Sequence, residues 1–130
     1  MVTSRGLADT SVFIARESGR LIAERAMPEE LAVSVITIGE LRAGVLAAGD
    51  VATRDRRLGT LSAALAFDPL PIDGEVAAAW ARLCLILRDN GLRMPVNDSW
   101  IAATAMALDI AVVTQDEDFP LLDGLDVIRV

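Results

Sequence analysis

Short apolar runs of strand length alternate along this chain with longer stretches in which apolar residues recur every three or four positions. The runs at 7–9, 32–36, 70–72, 111–114 and 127–130 predict five strands. Helical spacing predicts helices over 11–25, broken at Ser18-Gly19, and over 38–48, 51–67, 75–90 and 98–109. The fourth of these is the clearest: Val76, Ala79, Trp80, Leu83 and Leu87 fall on one face, and Gly91 follows as a helix stop. Strands that alternate with helices imply an α/β domain with a central, mostly parallel five-stranded sheet flanked by helices. No repeat or linker interrupts the pattern, so residues 1–130 are expected to form one domain.

Composition narrows the chemistry. All 12 basic residues are Arg, there is no His, and Cys84 is the only thiol. Without His or Lys, a Ser-His-Asp nucleophile, an imidazole base, a Schiff-base lysine and a Walker A loop are excluded. One Cys builds neither a zinc site of the usual N/S type nor an internal disulfide. Catalysis, if present, must come from carboxylates, hydroxyls, Arg and a hard cation. The first residues lack the apolar core of a signal peptide and no run reaches membrane-spanning length, so a soluble cytoplasmic protein is expected.

The 19 acidic residues are mostly helix-surface positions, but a few sit where strands hand over to helices. Asp9 ends the first strand, Glu40 follows the second, Asp116 and Asp118 follow the fourth, and Asp98 opens a helix. The carboxyl ends of parallel strands share one edge, where ligands bind, so topology brings these groups together. Each also has a local reading. Asp9 and Asp98 can serve a helix N-terminus, and both Thr37-Ile38-Gly39-Glu40 and Thr114-Gln115-Asp116-Glu117 match a capping box. Jointly, unpaired carboxylates at close range repel unless protonated, neutralised by Arg or bridged by a cation. An all-oxygen donor set favours Mg²⁺ or Mn²⁺.

Four segments then carry a resemblance: Asp9-Thr10-Ser11-Val12-Phe13-Ile14; Ser34 through Gly44, with Glu40 at its centre; Pro95-Val96-Asn97-Asp98-Ser99-Trp100-Ile101; and Val113-Thr114-Gln115-Asp116-Glu117-Asp118-Phe119. In order, spacing and length the chain resembles the PIN-domain ribonucleases, and more narrowly the VapC toxins of bacterial toxin–antitoxin pairs. The resemblance implies an acidic quartet of Asp9, Glu40, Asp98 and Asp116 holding Mg²⁺ or Mn²⁺, with Asp118 accessory. It implies hydroxyls from Thr10, Ser11 and Thr114 near the metal, and Asn97 steadying the loop that bears Asp98. RNA hydrolysis, a VapB-like antitoxin partner and a homodimer are expected on the same ground. Arg16, Arg42 and Trp100 are candidates for RNA or antitoxin contact, Trp100 also being read as a packing residue. A net charge of −7 is unusual for an RNA enzyme, because phosphate contacts call for local positive charge. The competing expectation is a catalytically silent PIN-fold module whose acids are caps.

Overall fold

A computed structural model of the chain describes residues 5–130; the start of the stretch read for a leader, residues 1–4, lies outside it. Strands β1 (Arg5–Ala8), β2 (Glu30–Ala32), β3 (Ala111–Thr114) and β4 (Val127–Arg129) make one sheet in the order β2-β1-β3-β4. Every neighbouring pair is parallel, and Leu7 of β1 stands in register with Ala32 on one side and Val112 on the other. The two inner strands are apolar on both faces, as a sheet covered by helices requires: Leu7, Ala8, Val112 and Val113 are all fully buried.

Two expectations for the sheet change. The strand expected at 70–72 is reduced to one bridge, in which Leu70 N–H donates to Val33 O (2.8 Å) and Leu70 O accepts from Val35 N–H (3.0 Å). Pro69 and Pro71 flank Leu70 and have no N–H to extend the ladder. The strand expected over 32–36 instead occupies Glu30–Ala32, because Ser34 caps a helix that starts earlier than the apolar spacing suggests. Its Oγ accepts from Ile36 N–H at 3.0 Å.

The helices are α1 (Thr10–Ser18), α2 (Val35–Leu46), α3 (Val51–Leu65), α4 (Gly74–Asp89) and α5 (Val96–Leu108). Asp50 and Asp73 cap α3 and α4, accepting from Thr53 N–H and Val76 N–H. The expected helix over 11–25 stops at Gly19, which takes the left-handed conformation at φ 75°, and only a single 3₁₀ turn, Glu24–Ala26, follows. Side chains alternate across the sheet. Leu7 packs with Val76, Leu83, Leu87 and Ile101 of α4 and α5, whereas Ala8 packs with Phe13, Leu41, Val45 and Leu61 of α1, α2 and α3.

Gly6 occupies a close approach in β1. A Cβ there would lie 2.6 Å from Val113 Cγ2 and 3.0 Å from Pro28 Cγ. Gly6→Ala is therefore expected to destabilise the fold by about 1–3 kcal/mol through overpacking. Urea unfolding tests this, and an unchanged midpoint would mean that Val113 and Pro28 yield without cost.

Candidate active site

The chain passes from β1 to β2 on one side of the sheet, while β3 pairs with β1 on the other. A crevice opens at such a switch point, beyond the carboxyl ends of the strands. Asp9 follows β1 directly, Asp116 stands two residues past β3, the second turn of α2 carries Glu40, and the first turn of α5 carries Asp98. These four carboxylates border one cavity of about 190 Å³, together with Thr10, Ser11, Ile14 and Arg20.

Asp9 is 1% exposed and stands at the N-cap position of α1, yet its side chain makes no capping hydrogen bond. Its Oδ2 instead accepts from Ser11 Oγ at 2.7 Å and from Thr114 Oγ1 at 2.9 Å. Both hydroxyls accept in turn from the backbone, Ser11 Oγ from Gln115 N–H and Thr114 Oγ1 from Asp116 N–H. Each hydroxyl thus accepts from the main chain while donating to the carboxylate, and the two lie 3.1 Å apart. Asp9 Oδ1 takes no hydrogen bond among the described residues.

Glu40 is held by a parallel device. Thr10 Oγ1 donates to Glu40 Oε1 at 2.7 Å and lies 2.9 Å from Thr37 Oγ1, so the fully buried Thr37 hydroxyl donates to Thr10. Thr37 lies inside α2, and the capping box read at Thr37–Glu40 does not form. Thr114–Glu117 likewise precedes no helix; Thr114 closes a turn onto Asp116 N–H.

Desolvation and the charges of Asp9, Asp118, Glu40 and Asp116 raise the Asp98 carboxyl from its ordinary range to about 7. Asp116 is raised by the same causes, burial first and then Asp9 and Asp118, with Arg20 pulling against them. Asp118 itself is exposed and acts on the site through its charge.

By donor chemistry the site fits a hard cation: carboxylates bordered by hydroxyls, with neither His nor thiolate. Among the described residues no three acidic side chains converge at ligating distance, so chelation requires side-chain movement.

A PIN domain model matches residues 7–125. The chain is 47% identical over 128 residues to Ribonuclease VapC5 of Mycobacterium tuberculosis, covering 96% of this chain and 95% of the relative. It is 49% identical to Ribonuclease VapC4 of the same organism over the full length of both. A crystal structure of VapBC-5, a member of the VapBC family of toxin–antitoxin systems from M. tuberculosis, superposes with a TM-score of 0.90 at 42% identity, over 98% of this chain and 99% of that one. The chain belongs to the VapC ribonucleases of the PIN-domain family.

Within this VapC chain the remaining candidate residues are distributed unevenly. Asn97 lies in the first turn of α5, not in a preceding loop, and makes no side-chain hydrogen bond among the described residues. The turn is instead fixed by Ser99, whose Oγ donates to Val96 O (2.5 Å) and accepts from Trp80 Nε1 (3.0 Å). Trp100 stacks on Trp80 with ring centroids 4.5 Å apart and planes within 6°, half-buried against the core. That arrangement is the packing role read for it. Arg16 pairs with Glu24 at 3.4 Å and borders a different groove of about 420 Å³ between α1 and α3, lined also by Val12, Phe13 and Phe67. Arg42 is exposed on α2 and does not line the carboxylate cavity.

Sequence reasoning missed Thr37, Gln115 and Arg20. Thr37 stands three residues before Glu40, so helical spacing was a usable signal. Gln115 carries no local signal because its partners, Leu21 and Val130, are distant in sequence, and Arg20 carries none because only the fold brings it to the cavity. Among the described residues no helix is long and apolar enough to cross a membrane.

Proposed function

We propose that this VapC chain is an Mg²⁺- or Mn²⁺-dependent endoribonuclease toxin. It hydrolyses RNA phosphodiester bonds in the cytoplasm, inhibits translation and growth, acts as a homodimer and is silenced by a VapB-like antitoxin. One observation carries the reading: Asp9, Glu40, Asp98 and Asp116 meet at one cavity, and two hydroxyl protons are committed to Asp9. Against the silent-module alternative, neither Asp9 nor Asp98 makes a side-chain cap.

Asp9, Glu40, Asp98 and Asp116 would hold the cation. When bound, it supplies Lewis-acid stabilisation at the phosphate and an acidified water. Ser11 and Thr114 fix the orientation of Asp9, since each donates to its Oδ2. Thr10, itself oriented by Thr37, does the same for Glu40. Asp98, whose carboxyl burial and the neighbouring acids push up to about 7, would have to be deprotonated to serve as a ligand.

The reading is tested on the wild-type protein by following thermal unfolding and cleavage of bulk cellular RNA in EDTA, Mg²⁺ and Mn²⁺. Saturating metal is expected to raise Tm, because about 2.7 kcal/mol is gained at a hundred times Kd. Cleavage should appear only with metal. Equal Tm values in all three conditions, with no cleavage, would favour the silent module.

A further inference from the structure

The carboxylate cavity has one cationic side chain in its lining, Arg20, and the remaining charged lining residues are the four acids. In a chain without Lys or His, Arg20 is thus, among the described residues, the only lining group that carries a fixed positive charge.

Its backbone is anchored on both sides. Gly19 adopts φ 75°, which turns the chain sharply off α1 and lets Arg20 N–H donate to Ala15 O at 2.9 Å. The next residue, Leu21, offers its carbonyl to Gln115 Nε2 at 2.8 Å, and the same amide reaches Val130 O at 3.2 Å. Gln115 lies between Thr114 and Asp116, so one side chain ties the loop bearing Arg20 to the strand end bearing the acids.

The Arg20 side chain is exposed and, among the described residues, forms neither an ion pair nor a hydrogen bond. Six other arginines are engaged, Arg16 with Glu24, Arg56 with Glu17, Arg88 with Asp89, Arg129 with Glu117, Arg57 with Gly44 O and Arg54 with Ala48 O; those that, like Arg20, make no ion pair or side-chain hydrogen bond among the described residues do not line the cavity. A guanidinium on a fixed backbone, with uncommitted donors and bordering an anionic cavity, suits a ligand that brings its own negative oxygens. A forked donor pair matches two non-bridging phosphate oxygens.

We propose that Arg20 binds the RNA phosphodiester at the cleavage site, its guanidinium gripping the phosphate at the rim of the cavity that the cation-holding carboxylates border. The inference rests on the ribonuclease reading above. It assigns the chain's substrate-phosphate contact to a residue outside the acidic quartet. It also answers the problem of net charge −7: a single anchored Arg, with the cation, makes the cavity locally receptive to phosphate.

The test compares wild type with Arg20→Gln, Arg20→Lys and Arg88→Gln, the last a control on the far end of α4. Mn²⁺ affinity is read from the metal dependence of Tm, and cleavage of bulk cellular RNA is read as apparent kcat and KM over a salt series. For Arg20→Gln, Mn²⁺ affinity is expected to stay within about threefold of wild type or to tighten. Its kcat/KM should fall roughly 10–100-fold, mainly in KM, and its log–log salt dependence should flatten by about 0.7, the contribution of one phosphate contact on a single strand. Arg20→Lys should restore the salt slope while recovering only part of KM, since an ammonium lacks the fork.

If Arg20→Gln matches Arg88→Gln in KM and salt slope, the phosphate assignment is overturned while the metal-dependent nuclease stands. If Arg20→Gln loses Mn²⁺ binding together with cleavage, Arg20 merely arranges the acids, and the assignment again fails. A wild type that neither responds to Mn²⁺ nor cleaves RNA removes the underlying function and this inference together.

Discussion

Asp9→Asn is expected to lower metal-dependent RNA cleavage by at least about 100-fold, the loss that follows when a charged ligand of a catalytic cation is removed. The fold should survive. Asn offers an amide oxygen in the place of Oδ2, where Ser11 Oγ and Thr114 Oγ1 can still donate at 2.7 and 2.9 Å, so no buried hydroxyl loses its acceptor. Removing the negative charge also relieves the repulsion that Asp9 exerts on Asp98 and Asp116. Tm in EDTA should therefore equal or exceed that of wild type, while the stabilisation by Mn²⁺ largely disappears. Cleavage retained above a tenth of the wild-type rate would place the metal elsewhere.

Asp98→Asn is expected to separate stability from activity more sharply. The folded-state pKa of Asp98 lies near 7, against an unfolded value near 3.8. Between those values the native state binds the extra proton, so stability falls as pH rises from about 4 toward 7 and stays low above it. The burial and repulsion that cause the shift are destabilising at pH 8 and absent in the Asn variant. Asp98 is only partly buried, which discounts the effect through solvent screening. A rise in Tm on the order of 3–6 °C in EDTA at pH 8, shrinking toward zero at pH 4, corresponds to roughly 1 kcal/mol for a domain of this size. Cleavage with Mg²⁺ should fall together with that gain, as at sites where function is maintained against stability. Thermal scans at both pH values check the sign, and a variant less stable than wild type at pH 8 in EDTA would show that Asp98 is structurally favourable as a carboxylate.

Much of the architecture was legible in the residues alone. Helical periodicity placed α3 and α4 to within two residues at each end, because Leu61, Val76, Leu83 and Leu87 repeat at core-facing intervals; the Asp50 and Asp73 caps that fix the starts went unread. The break after Ser18 followed from Gly19. Errors arose where neighbouring signals competed. Val33, Val35 and Ile36 are β-branched and apolar, but Ser34 caps a helix; residues 70–72 are apolar, but the prolines on both sides of Leu70 leave room for one bridge only. The first turn of α5 began earlier than Asp98, so Asn97 became a helical residue and not a loop anchor.

The sequence by itself determined the alternation of strands and helices, the absence of imidazole and ammonium chemistry, and the positions of five acids at or near element ends. It left cap and ligand indistinguishable at Asp9, because both use the same residue type at the same place. Tertiary structure decided that question through contacts that no local pattern encodes. Thr114, 105 residues from Asp9, supplies one of the hydroxyls that claim its Oδ2, and Thr37 reaches Thr10 across 27 residues. Gln115 holds the loop of Arg20 across 94 residues. Periodicity reads out which face of an element is buried, since that follows from neighbours a few positions away. Which groups meet at the sheet's switch point depends on the order β2-β1-β3-β4, and only the folded chain sets that order.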